Sequence, residues 1–280
     1  MKERSVAEQI RGFRTQDGAG VSLVRVLGHG TKEAFDPILM LDSFDSRNPE
    51  EYVAGFPMHP HRGIETVSYV YKGRMTHRDS LGNEDTVGDG EVQWMTAGSG
   101  ILHEEKLPPA ERMLGVQLWL NLPARDKMAP PAYKSIKRDE IPEIKGEGYM
   151  LRLLAGTYQG QEGYRSKYLP LDYYDIHLEP GTTLTLPTEP DRTAMIFTLE
   201  GEVTAGGQLV GEKSAARLTE GEALVLQAGK EPAQVLFMSS RPLREPIAWG
   251  GPIVMNTREE LNQAFLELET GRFIRDGITY

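Results

Sequence analysis

The 280-residue chain contains no cysteine. Disulfides, thiolate nucleophiles and cysteine-held zinc or iron–sulfur groups are therefore excluded. Histidine is scarce as well, with six in the chain. An ion held by side chains must rely on those imidazoles and on Asp and Glu. No apolar run approaches the roughly 18 residues of a membrane span. The start, Met1-Lys2-Glu3-Arg4-Ser5, carries charge but no apolar signal segment. A cytoplasmic protein without a membrane partner is expected. Positive charge is in deficit: 31 Lys and Arg against 41 Asp and Glu leave a net charge of −10. A broad nucleic-acid surface does not fit that balance, so no direct nucleic-acid partner is expected.

What the chain has in quantity is turn residues, with 30 Gly and 18 Pro spread along it. Between them lie short apolar or alternating runs. Examples are Val21 to Val26, Glu65 to Tyr71, Met75 to Ser80, Glu91 to Thr96 and Met113 to Leu120. Short strands every eight to twelve residues point to an all-β sandwich or barrel. Residues 121–148, with Pro123, Pro130 and Pro131, are expected to link two domains. The pattern then repeats. Phe197 to Val203 echoes Tyr69 to Met75 at an offset of 128, and Glu220 to Gly229 echoes Asp89 to Gly98 at an offset of 131. A duplicated β domain is the expectation, divided as residues 1–133 and 134–280. Carried across, the offsets place Pro187, Glu189 and Gln234 opposite His59, His61 and His103. A metal site is therefore expected in the first half only. Near the end, Thr257-Arg258-Glu259-Glu260 forms a capping box. Leu261, Ala264, Phe265 and Leu268 follow at helical spacing, and Gly271 is a stop. One amphipathic helix packed on a barrel is expected.

The chemistry concentrates in two stretches. His59-Pro60-His61 places two imidazoles on one face of a strand, roughly 7 Å apart along it. His103-Glu104-Glu105 follows about forty residues later. Strand parity puts Glu105, not Glu104, on the face of His103. Three imidazoles and one carboxylate suit Fe(II), Mn(II), Ni(II), Cu(II) or Zn(II). In a six-coordinate ion they leave two open positions for water, O₂ or a chelating substrate. Glu65 shares the face of His59 and His61 if the strand runs unbroken through Gly63, which makes it a neighbour or a further ligand. Gln117 faces either the cavity or the barrel filling. His29, His77 and His177 are isolated in sequence and are expected to be structural or exposed. Asp36, Asp42 and Asp45 are expected in turns.

The spacing His59-x-His61-x₃-Glu65 with Gly73, then Gly90, Gly98 and His103, resembles the two cupin motifs. The wording is closer to the pirin family within the cupins. Phe35-Asp36-Pro37, Phe56 to Val67, Gln93 to Glu105, Gln117 to Pro123 and Gly251 to Glu260 all resemble it. There are departures from the general cupin pattern. Seven residues separate Glu65 from Gly73, Thr96 replaces the usual Pro, four residues separate Gly98 from His103, and Leu107 stands where the second motif has Asn. The resemblance implies a jelly-roll-like bicupin, with metal in the N-terminal barrel alone and a short C-terminal helix. It implies a metal site of His59, His61, His103 and Glu105, Fe(II) foremost. It further implies a quercetin 2,3-dioxygenase acting on a flavonol with O₂, with Glu105 or Glu65 taking the substrate proton. The other implied reading is an iron-dependent redox-sensing regulator that binds a protein partner. A monomer is expected, because two barrels in one chain imitate a cupin dimer.

Overall fold

A computed structural model describes residues 2–275. Among these residues 54% lie in strands and one short helix is present, as an all-β fold requires. The chain divides into two compact units, each built from separated segments.

The first unit combines residues 14–29, Ile38–Arg138 and 243–275. Its seven-stranded sheet runs in the order Ala132–Ile136, Glu91–Thr96, Ile64–Lys72, Met113–Asn121, Ile38–Ser46, Val21–Leu27, Phe13–Asp17. Its four-stranded sheet runs Phe56–His61, Ile101–Lys106, Met75–Asp79, Glu84–Val87. Met113–Asn121 is buried at every position and pairs antiparallel on both sides. A strand covered on both faces explains its continuous apolar run. Met75–Asp79 instead alternates, burying Met75, His77 and Asp79. Val70, Phe44 and Met113 of the larger sheet pack with Met75 and Val87 of the smaller one. The core therefore lies between the sheets.

The second unit combines residues 2–13, Gly30–Pro37 and Asp139–Pro242. Its sheets repeat the plan. The larger runs Val6–Arg11, Ser214–Leu218, Thr193–Glu200, Ala233–Ser240, Leu171–Leu178, Tyr149–Ala155, Glu143–Gly146. The smaller runs Thr183–Pro187, Ala223–Ala228, Val203–Ala205, Gln208–Val210. Its interior is apolar, with Leu184, Leu186, Leu224 and Leu226 in one cluster with Ile176, Ile196 and Phe237.

Three expectations change. Residues 121–148 are not a linker: Ala132–Ile136 pairs with Glu91–Thr96, because Ile136 alternates onto a buried face after the two prolines. The cut between residues 133 and 134 falls inside that strand, and the units exchange their ends instead. Strand order also corrects the second repeat offset. The strand of His103 occupies the place that Ala223–Ala228 holds in the other unit. Buried Leu224 and Leu226 therefore stand where Gln234 was expected. The first offset holds at the turns: Gly73 and Gly201 both follow a long strand with positive φ, 100° and 71°.

The helix Arg258–Glu269 begins as the sequence indicates. Thr257 accepts from the Glu260 amide while the Glu260 carboxylate accepts from the Thr257 amide. Leu261, Ala264, Phe265 and Leu268 pack on Ile253, Met255 and Phe273 within the first unit. Thr257→Ala should destabilise this unit by about 1 kcal/mol, read as a lower denaturant midpoint at unchanged slope.

Candidate metal centre

Phe56–His61 and Ile101–Lys106 are antiparallel neighbours, with His103 opposite His59 and Ile101 opposite His61. Pairing converts two sequence-distant His motifs into one cluster. The ligand atoms of His59, His61 and His103 all lie within 4.8 Å of one another, the only such group among the described residues. Ring centroids are 4.8 Å apart for His59 and His61, 4.4 Å for His59 and His103, and 5.1 Å for His61 and His103.

Hydrogen bonds fix the tautomers. The His59 Nδ1–H donates to the Pro57 carbonyl at 2.8 Å, and the His61 Nδ1–H donates to the Pro252 carbonyl at 3.0 Å. A carbonyl can only accept, so both Nε2 atoms carry lone pairs. Those two atoms face each other at 3.1 Å with no proton to share. The buried His103 Nε2 has no hydrogen-bond partner at all. Two lone pairs facing each other without a donor repel unless a cation sits between them, and the unpartnered His103 Nε2 belongs to the same cluster. The donor set thus fits a divalent metal. Burial, with His59 alongside, pushes His61 down to about 3. Burial and the neighbouring imidazoles of His59, His61 and His77 push His103 down as well. Neutral imidazoles are the form that ligates.

Glu105 points inward as parity predicts, and Glu104 turns out to Arg78 and Lys106. Glu105 is not in the three-residue cluster. Its Oε1 accepts from Gln93, and both its oxygens accept from Gln117 at 3.1 and 3.0 Å. Gln117 therefore does face the interior. Glu65 stands apart from the imidazoles, because Gly63 breaks the strand with φ of 78°. A Cβ there would lie 1.9 Å from the Val254 carbonyl oxygen. Glu65 instead begins the larger sheet and accepts from the Thr96 hydroxyl at 2.7 Å.

Three readings in this region change, those of His77, His29 and Asp42. His77 is not isolated: it is fully buried and its Nδ1 lies 3.4 Å from the Nδ1 of His103. His77-x-Asp79 repeats the His-x-His spacing on the next strand, a signal that was available. His29 is not alone either, stacking on Trp249 at 3.9 Å. Asp42 is no turn residue: it lies within Ile38–Ser46, buried, and takes a bidentate bond from Arg25 at 2.9 and 2.7 Å. A cavity of about 490 Å³ opens on His59 and His61. Phe56, Met40, Trp119 and Trp249 form its apolar walls, and Asp17, Arg25 and Asp42 line a charged side.

Comparison with known proteins agrees with this geometry. The Pirin family model matches residues 20–120, and the Pirin C-terminal cupin domain matches residues 173–274. A pirin-like protein of Caulobacter vibrioides is 43% identical over 98% of this chain and 100% of its own. Human pirin is 36% identical over 96% and 93%. A crystal structure of quercetin 2,3-dioxygenase from Acinetobacter baumannii superposes with a TM-score of 0.89 at 34% identity, covering 97% and 98% of the two chains. No helix among the described residues is long and apolar enough to cross a membrane. Two matching domains in order, full-length relatives and the histidine cluster all say the same thing: this chain belongs to the pirin family.

Proposed function

We propose that the chain is a metal-dependent dioxygenase of flavonol type, acting like a quercetin 2,3-dioxygenase. The observation that carries the reading is the convergence of three imidazoles, two of which, His59 and His61, open on an aromatic-walled cavity. His59, His61 and His103 would hold the metal, Fe(II) foremost, and Glu105 would complete the set. When bound, the ion supplies Lewis acidity and a redox partner for O₂ beside an enolate-type substrate.

The chain's own residues do the rest. Trp119, set edge-on to His61 at 5.0 Å, and Trp249 offer flat apolar surface to a polycyclic ring. The cavity is large enough to bury a three-ring phenol. Asp42 and Arg25 present a fixed acceptor–donor pair to its hydroxyls. The Glu105 carboxylate, which accepts from Gln93 and Gln117, would take the proton from the reacting hydroxyl. Glu65 is bound elsewhere and is less suited to that role. A redox-sensing regulator with a protein partner needs the ion but not this cavity, so the enzyme reading is favoured.

The test is direct. Protein loaded separately with Fe(II), Mn(II), Ni(II) or Cu(II) is mixed with quercetin under air, and carbon monoxide and the depside product are measured. Release of both from at least one loaded form is expected. Absence of both from every form overturns the proposal.

A further inference from the structure

Behind His103 the barrel holds a buried polar chain for which the three-imidazole site has no evident need. Asp79 and His77 both point inward from Met75–Asp79, and both are 0% exposed. Asp79 faces His103 across the strand pair, and His77 faces Glu105. The His77 Nε2 lies 2.7 Å from Asp79 Oδ2. The other ring nitrogen, Nδ1, lies 3.4 Å from His103 Nδ1. Tyr133 stacks flat on His77, 4.0 Å away with planes 8° apart, and fixes the ring plane.

The proton order along this chain follows from its end. Asp79 Oδ1 accepts from the amides of Leu81 and Asn83 at 2.9 and 3.1 Å, and the Asn83 side chain donates to both oxygens. A carboxylate so surrounded by donors is an acceptor throughout, so His77 must give it the Nε2 proton. A His77 ring with its one proton on Nε2 has its lone pair on Nδ1, the atom that faces His103. His103 must donate from its own Nδ1, which leaves its Nε2 bare. We propose that His77, oriented by Asp79, is a positioning residue that holds His103 in the Nδ1–H tautomer and so aims its Nε2 lone pair at the metal position. The other two imidazoles get the same service from backbone carbonyls, of Pro57 and Pro252. Among the described residues no backbone carbonyl accepts from the His103 ring, and a second histidine takes that part. The inference rests on the metal-centre reading, but the tautomer can be read without any metal.

Asp79→Asn is the sharp variant. The two backbone amides require an acceptor at the Oδ1 position, so the new Nδ2 must occupy the Oδ2 position and donate to His77 Nε2. That reverses the chain: His77 carries its proton on Nδ1 and His103 carries its own on Nε2, where it blocks coordination. In the metal-free protein, nitrogen and carbon shifts of the His103 ring should report Nδ1–H in the wild type and Nε2–H in Asp79→Asn. Co(II) affinity should fall roughly 10- to 100-fold with a changed visible spectrum. His77→Ala should weaken Co(II) binding too, and in that background Asp79→Asn should add nothing further. The proposal is overturned if His103 keeps the Nδ1–H tautomer in Asp79→Asn. It is equally overturned if the Asp79→Asn loss persists in full without His77. A wild type that shows the expected tautomers yet takes up no Co(II) would sink the metal-centre reading while leaving the tautomer chain standing.

Discussion

His103→Ala should remove divalent-metal binding almost completely. In the wild type, a metal present at 100 times its dissociation constant raises stability by about 2.7 kcal/mol, because it binds the folded state alone. Loss of a direct ligand must cost more than the roughly 100-fold ceiling typical of outer partners. At the same metal concentration the stabilisation then shrinks to a few tenths of a kcal/mol. Thermal melting with and without Ni(II) checks this. The upward shift seen for the wild type should be absent from His103→Ala. It should remain in His177→Ala, whose ring is bonded to Asp175 in the other unit at 2.9 Å. An undiminished Ni(II) shift in His103→Ala would mean that the ion sits elsewhere. The side chain is itself buried, so the variant must be compared with its own metal-free form rather than with the wild type.

How far the sequence could be read depended on whether the information was local. The helix was legible to its terminal residues, because Thr257 and Glu260 cap it and Gly271 ends it within a few positions. The strands were legible from alternation and turn glycines, and so was the duplication. The strand between residues 132 and 136 was not, because Pro130 and Pro131 advertise a loop while the pairing partner lies some forty residues earlier. The exchange of ends between units is likewise invisible to any local rule. Nothing in Val6–Arg11 announces that its partner is Ser214–Leu218.

The site shows the same division. His59, His61 and His103 could be picked out because spacing within a strand fixes the face of each side chain. Parity failed for Glu65 because one glycine, Gly63, adopts a conformation that interrupts the strand. Standing alone in sequence, His77 reads as structural or exposed, although its strand lies directly beside that of His103. The carbonyl of Pro252, which sets the tautomer of His61, comes from 191 residues away. The wall residue Trp249 comes from the same distant segment. A ligand set is therefore a short-range property of strands, whereas its orientation is a property of tertiary packing.

That distant segment leads to the second large effect. Arg62, between His61 and the break at Gly63, has a side chain only 2% exposed. It donates to the Ser99 carbonyl at 2.6 Å and the Phe273 carbonyl at 3.0 Å, and lies over the Phe273 ring. Its charge is met by Glu267 of the helix at 2.9 Å. Glu267→Ala leaves that guanidinium buried without a counter-ion, which should cost about 3–5 kcal/mol. Because Arg62 joins the His61 strand to the loop preceding His103, metal affinity should fall along with stability. The pH dependence gives an independent check. Burial disfavours the Glu267 charge, but donors from Gln263 and Arg62 outweigh it and hold the carboxyl below its ordinary 4.5. A carboxyl lowered in the folded state contributes stability above its unfolded value and loses it as the pH falls through the folded one. Acid unfolding of the wild type should therefore include a component below about pH 4.5 that Glu267→Gln lacks. If Glu267→Ala melts like the wild type, Arg62 is held by its two carbonyls alone and the helix is not a latch on the His61 strand. If it melts early yet regains stability with excess Ni(II), the latch and the metal act on the same folded unit.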